Sequence, residues 1–285
     1  MSVSSFATCD VCPRACRIAI GERGFCGARG TVSGPGEGHS SVVSLNYGKL
    51  TAISLDPIEK KPLRRFHSGQ MILSVGSFGC NLNCPWCQNH HIARAVEEDV
   101  QIRELAPEEL VKLAEEYVPL GNIGLAFTYN EPLISYEYVR DTSKILKERG
   151  LKSVLVTNGY IKSALFSELI GLIDAMNIDL KSVKKDFYKK IGGDPDTVMK
   201  NIKLAAEVCH VEITCLLING ENDTEDEMEE MTDFIASVSS EIPLHISRFF
   251  PRYKWDDRRS TDIEMMERFK EIADKKLKYV YLGNI

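Results

Sequence analysis

The sequence predicts an α/β protein built on a parallel sheet. Three observations carry that expectation: apolar β-rich runs alternate with amphipathic stretches, the alternation repeats six times, and helix-start signals fall between the runs. The candidate strands are Met71–Phe78, Ile123–Thr128, Ser153–Thr157, Ala175–Leu180, Val211–Ile218 and Leu244–Phe250, with a further one at Tyr279–Leu282. Between them, Leu110, Leu113, Ala114 and Tyr117 keep the i, i+3, i+4, i+7 spacing of one helix face, and Met228, Met231, Ile235 and Val238 keep a similar one. Pro107 suits a first helical position, and Thr224 to Glu227 and Thr261 to Glu264 have capping-box spacing. Such repeats join parallel strands through right-handed crossovers. About 210 residues fit six βα units, whereas eight take about 250. An incomplete barrel or a doubly wound sheet is expected, with function at the C-terminal ends of the strands.

The first part of the chain reads differently. Residues 1–66 form a Cys-rich extension and linker, and residues 67–285 the barrel. Gly30, Gly34, Pro35, Gly36 and Gly38 give residues 30–48 the composition of a loop or linker. Asp56–Pro62 is a charged, Pro-bracketed stretch that reads as a solvated connector. The 35 Lys and Arg against 41 Asp and Glu leave a net charge of −6, so no global positive field captures nucleic acid or anionic membranes. Lys184, Lys185, Lys189 and Lys190 read as the solvated face of a helix. No signal segment opens the sequence and no apolar run nears the ~18–20 residues that span a bilayer, so a soluble cytoplasmic protein is expected. In that reducing compartment nine cysteines point to metal or redox chemistry, not to disulfides.

Seven of the nine fall into two sets. Cys80, Cys84 and Cys87 have C-x3-C-x2-C spacing on the loop leaving the first strand. A [4Fe–4S] cluster usually takes four Cys, so a three-Cys site leaves one iron open to an exogenous ligand. The competing readings are a zinc site completed by His90 or His91, and plain burial of the thiols. Cys9, Cys12, Cys16 and Cys26 supply four soft ligands, suited to structural zinc or to a complete second cluster. Gly21, Gly24 and Gly27 permit tight knuckle-like turns, which favours zinc. Cys209 and Cys215 stand apart and are assigned to the core.

The cysteine loop with Trp86 resembles the signature of radical S-adenosylmethionine (SAM) enzymes. More stretches resemble their activating-enzyme branch, related to the pyruvate formate-lyase activating enzyme and closest to the radical SAM member of the AmmeMemoRadiSam system: Cys9–Cys16 with Gly24-Phe25-Cys26, Asp56–Leu63, Cys87-Gln88-Asn89, Thr128–Pro132, Thr157-Asn158-Gly159 and Asp179-Leu180-Lys181. The resemblance implies a partial (β/α)6 TIM-like barrel with a small Cys-rich N-terminal extension. It implies a [4Fe–4S] cluster on Cys80, Cys84 and Cys87, with SAM on the open iron and reductive cleavage to a 5′-deoxyadenosyl radical that abstracts hydrogen from a substrate. Trp86 would lie near the adenine, and Thr128, Asn130 and Glu131 would meet the methionyl amino group. Asn158 belongs to the same set, with Lys181 on the carboxylate and Asp179 on the ribose or a cation. Val156 departs from the branch, which carries there an Asp that helps to bind a monovalent cation. Arg248 is a candidate contact to the SAM carboxylate or substrate and His245 a neighbour on the same strand; a structural role for either stands equally. The resemblance gives Asp56–Pro62 a second reading, as a lid or partner surface.

The implied partners are a protein substrate and a low-potential electron donor such as flavodoxin or ferredoxin. The alternatives are a glycyl-radical enzyme activase and, disfavoured by the acidic charge, a non-enzymatic zinc or nucleic-acid module. The resemblance implies that many relatives continue beyond the equivalent of Ile285 into a Cys-pair tail, so either a less covered site or a variant subgroup is expected here.

Overall fold

The computed structural model of the chain describes residues 6–33 and 40–285. Short antiparallel pairs come first. β1 (Phe6–Thr8) pairs with β2 (Arg17–Ala19), and β3 (Arg29–Ser33) with β4 (Ser40–Ser44). The expected linker over residues 30–48 is therefore largely a hairpin, because β-branched Thr31 faces Val42 across the ladder and Gly30 faces Val43. Gly34, Pro35, Gly36 and Gly38 lie outside the described residues.

β5 (Lys49–Leu50) and β6 (Ala52–Pro57) follow, and β6 runs antiparallel to β7 (Met71–Gly76). The eight-stranded main sheet thus takes an edge strand from the expected linker, so the 66/67 boundary does not separate the N-terminal part from the barrel sheet. Asp56–Pro62 is no solvated connector. Ile58 and Leu63 are fully buried against Ile72, Ala126, Val154 and Ala175, and Asp56 pairs with the buried Lys61 at 3.1 Å.

β8 (Arg103–Glu104) pairs with β5, and the remaining strands are β9 (Asn122–Phe127), β10 (Lys152–Thr157), β11 (Ala175–Asp179), β12 (His210–Leu217), β13 (Leu244–Arg248) and β14 (Val280–Gly283). The strands run in the order β14-β13-β12-β11-β10-β9-β7-β6, with every pair from β7 to β14 parallel. All seven strand runs expected from the sequence are present within two residues at each end. β6 and β14 sit at opposite edges, which leaves the barrel partial.

The helices are α1 (His90–Ala93), α2 (Pro107–Glu116), α3 (Tyr136–Glu148), α4 (Ser163–Ile170), α5 (Lys185–Ile191), α6 (Pro195–Ala206), α7 (Glu225–Val238) and α8 (Ile263–Asp274). α2 begins at Pro107 and buries Leu110, Val111 and Ala114. The Thr224 hydroxyl caps α7 by accepting from the Glu227 N–H. Thr261 does not cap α8, which starts after Asp262. Its hydroxyl instead donates to the Leu217 carbonyl and accepts from the Phe249 N–H, tying the end of β12 to the chain beyond β13.

Towards the N-terminal ends of the strands, the fully buried Glu212 carboxylate closes the barrel. It accepts from the Arg64 N–H at 3.0 Å, the Arg65 N–H at 2.7 Å, His210 Nε2 at 2.9 Å and His245 Nε2 at 2.6 Å. Asn177 adds a bond to the Pro62 carbonyl at 2.8 Å. The chain from Pro62 to Arg65 is thereby fastened across the strand starts, opposite the end where function is expected.

Candidate active site

The cysteine loop leaves the C-terminal end of β7. Gly79 has φ of +88°, a conformation that favours glycine, and a Cβ there would stand 2.5 Å from the Cys26 carbonyl oxygen. Asn130 ties the loop to its strand: its amide donates to the Phe78 and Gly79 carbonyls at 3.1 and 3.0 Å, and its oxygen accepts from the Ser77 N–H at 2.9 Å. Arg94 clasps the other side through the Cys80 and Leu82 carbonyls, at 3.1 and 3.0 Å. Cys80 Sγ receives the Leu82 N–H at 3.4 Å and Asn158 Nδ2 at 3.8 Å. Burial pushes all three thiols above the ordinary thiol range, Cys84 to about 11. Thiolate ligation there needs the positive charge of a bound metal.

Lys181 supplies a second positive group. Its ammonium lies 2.8 Å from Asp179, and burial works against its charge, but the Asp179 carboxylate holds it protonated. Asp179 ends β11 and Lys181 follows two residues later, and the two side chains pair with each other.

Glu131 is engaged by the protein itself. Its buried carboxylate accepts from the Leu133 N–H at 2.9 Å, the Thr157 hydroxyl at 2.6 Å and the Asn158 N–H at 2.7 Å. Desolvation outweighs these donors and lifts its pKa to about 7. It joins the turn after β9 to the end of β10, and Asn130 is likewise committed to the protein. Thr128 is buried beside them, its N–H on the Val75 carbonyl at 2.8 Å. Between them, Tyr129 holds φ of +70° and crosses Gly76, where a Cβ would clash at 2.8 Å; its hydroxyl donates to Asp56 at 2.9 Å.

Trp86 is buried between Phe187, at 5.6 Å, and Trp255, at 4.9 Å between ring centroids. The segment after β13 thus covers the cysteine loop, with the Lys254 N–H on the Pro85 carbonyl at 3.0 Å and Tyr253 stacked on His90 at 4.3 Å. Sequence reasoning missed this cover and the Arg94 clasp. Asn89, which donates to the Tyr129 carbonyl at 2.7 Å, was visible only as the end of the Cys87-Gln88-Asn89 stretch. His90 turns Nδ1 to the Cys87 carbonyl at 3.1 Å. Arg248 ends β13 and donates to the Thr261 carbonyl at 2.7 Å, whereas His245 belongs to the Glu212 cluster near the strand starts. A cavity of about 450 Å³ opens at His210 and Val211 between α6 and α7, away from the cysteine loop.

The N-terminal thiols form a separate group. Cys9, Cys12, Cys16 and Cys26 line one cavity, which Asn81 of the cysteine loop also borders. Neither cysteine set is drawn in around a point: among the described residues no group of three or more His, Cys, Asp or Glu is assembled to hold a single metal ion. Cys215 is buried and Cys209 half-buried, outside both sets. Among the described residues no helix is long and apolar enough to cross a membrane.

Comparison with known proteins matches residues 74–235 to the sequence model of the Radical SAM superfamily. An uncharacterized protein of Methanocaldococcus jannaschii is 39% identical over 281 residues, covering 97% of this chain and 81% of that protein. The pyruvate formate-lyase-activating enzyme of Clostridium pasteurianum is 26% identical over 218 residues, 71% of this chain and 87% of that enzyme. Among solved structures, a radical SAM methyltransferase from Sphaerobacter thermophilus superposes with a TM-score of 0.57 at 16% identity over 76% of this chain and 67% of its own, a likeness of fold.

Proposed function

Because the chain belongs to the radical SAM superfamily, we propose that it reductively cleaves SAM and uses the resulting radical to take hydrogen from a protein substrate. A [4Fe–4S] cluster and SAM are what the family implies, and the residues present fit them. Cys80, Cys84 and Cys87 offer three thiols on one loop, with the Leu82 N–H and Asn158 amide aimed at Cys80 sulfur, the kind of donor that tunes cluster sulfurs. When bound, the pair supplies one-electron cleavage of SAM to methionine and a 5′-deoxyadenosyl radical.

The chain's own residues do the rest. Lys181, held charged by Asp179, faces the thiols as the cation for a carboxylate, in keeping with the SAM carboxylate. Asn130 and Arg94 fix the loop backbone, so that thiol positions do not depend on the metal alone. Glu131 and Asn158 lock the neighbouring turn. Trp86, Trp255 and Tyr253 pack over one side of the loop.

The observation that carries this reading is the three-thiol loop at the C-terminal end of β7 with donors on its sulfur and the Lys181 ammonium beside it. Anaerobically reconstituted protein with a strong reductant and SAM should release 5′-deoxyadenosine; a fully loaded cluster that releases none refutes the reading. A protein substrate is favoured by the activating-enzyme relative, which spans most of this chain. With that same relative in view, a glycyl-radical activase is the second reading. Deuterium should pass into 5′-deoxyadenosine from the macromolecular fraction of a deuterated lysate of the source cells, and transfer from the small-molecule fraction alone argues against a protein substrate.

A further inference from the structure

We propose that Cys9, Cys12, Cys16 and Cys26 hold a second iron–sulfur cluster, packed against the catalytic loop. The four thiols line a single cavity with no other nucleophilic or acidic side chain on its wall. The β1–β2 ribbon brings two of them together, since the Cys9 N–H donates to the Cys16 carbonyl at 2.9 Å. Cys26 returns to the same place after the turn that follows β2.

An independent observation concerns charge. Arg14 and Arg29 also border this cavity, and the Nε of each is buried with no hydrogen-bond partner among the described residues. Buried guanidinium donors are rarely left unmet. One further nitrogen of each side chain is occupied: Arg14 Nη2 on the Gly192 carbonyl at 2.7 Å, Arg29 Nη1 on Glu137 at 2.7 Å. Two orphaned N–H donors beside four thiols suit an anionic, sulfur-rich occupant, because thiolate and sulfide sulfurs accept such bonds.

Among the described residues the four thiols are not gathered to hold a single metal ion, which favours a cluster over zinc. Tetrahedral zinc draws four sulfurs to about 2.3 Å from one point, whereas a cubane gives each thiolate its own iron. The N-terminal set shares its open arrangement with Cys80, Cys84 and Cys87, and the inference rests on the radical SAM reading for that parallel only. The two sets also touch: the Cys80 N–H donates to the Cys26 carbonyl at 3.2 Å, and Gly79 lacks the Cβ that would part them. A cluster that fixes Cys26 thereby fixes the first catalytic cysteine.

The test uses full-length protein, anaerobically reconstituted, as wild type, as Cys9→Ser/Cys12→Ser and as Cys84→Ala/Cys87→Ala. Iron, sulfide and zinc per chain are measured, with electron paramagnetic resonance of the reduced protein before and after SAM. About eight irons in the wild type and about four in each double variant are expected. The SAM-responsive signal should persist in Cys9→Ser/Cys12→Ser, and a SAM-silent signal in Cys84→Ala/Cys87→Ala. About four irons in the wild type, with or without one zinc, overturn the proposal, and this count does not depend on either variant folding. A missing SAM response with eight irons present would instead count against the radical SAM reading and leave the second cluster standing.

Discussion

The two ends of the barrel are built from similar material and put to different use. At the strand starts, Glu212 is a buried carboxylate with four donors, two backbone and two imidazole, and its cluster is saturated. At the strand ends, thiols, the Asp179–Lys181 pair and the Asn158 amide stand together with acceptor and donor capacity to spare. A saturated cluster makes a closure, whereas an unsaturated one makes a site. Burial alone does not separate the two, since Glu131 at the functional end is as deeply buried as Glu212.

The comparison breaks most sharply at the thiols. Cys84→Ala should abolish 5′-deoxyadenosine formation while the fold, followed by circular dichroism, survives. At the opposite end Glu212→Ala should do the reverse. It strands the Arg64 and Arg65 N–H groups and two imidazoles, costing about 3 kcal/mol or more in urea denaturation, while turnover per loaded cluster is unchanged.

Acid sharpens the same contrast. Burial acts to raise the Glu212 pKa, but His210, His245 and the two backbone N–H groups hold it at about 2, against an ordinary 4.5. An acid depressed in the folded state stabilises fully above its unfolded pKa and loses that contribution as pH falls through the folded one. The stability gap between wild type and Glu212→Gln should therefore be constant above about pH 5 and shrink towards pH 2, as read from urea midpoints at each pH.

Smaller effects follow at the periphery of each region. Lys181→Ala should weaken SAM binding by roughly 10- to 100-fold, the loss of one charge-assisted hydrogen bond, measured by calorimetry on reconstituted protein. Lys184→Ala, which removes an exposed pair with Glu230, should leave both the denaturation midpoint and SAM affinity where they are.

Legibility in the sequence follows from the same difference. The parallel strands announced themselves through apolar periodicity, and the cysteine loop through its spacing, because both are local patterns. β6 did not, since Ser54 and Asp56 interrupt Ala52–Pro57 and the strand is paired only along one edge. The composition of residues 30–48 concealed a hairpin held by cross-strand pairing. Glu131 stands at the strand ends, and its partners come from the turn after β9 and the end of β10, a junction that spacing does not reveal. The Tyr253–Trp255 cover was missed for the same reason, since it reaches the cysteine loop across the fold, and the Arg94 clasp because its bonds run to backbone carbonyls 12 and 14 residues back. His245 and Arg248 looked alike on one strand and part company in space, one at the closure and one at the strand end.

The Glu131 carboxylate also bears on how this sequence can drift. Leu133 and Asn158 reach it through backbone N–H groups, which any residue but proline supplies, whereas Thr157 reaches it through a side-chain hydroxyl. Position 157 therefore accepts serine, which keeps the hydroxyl, whereas a lineage that trades Thr157 for valine leaves the buried acid one donor short unless residue 131 changes with it.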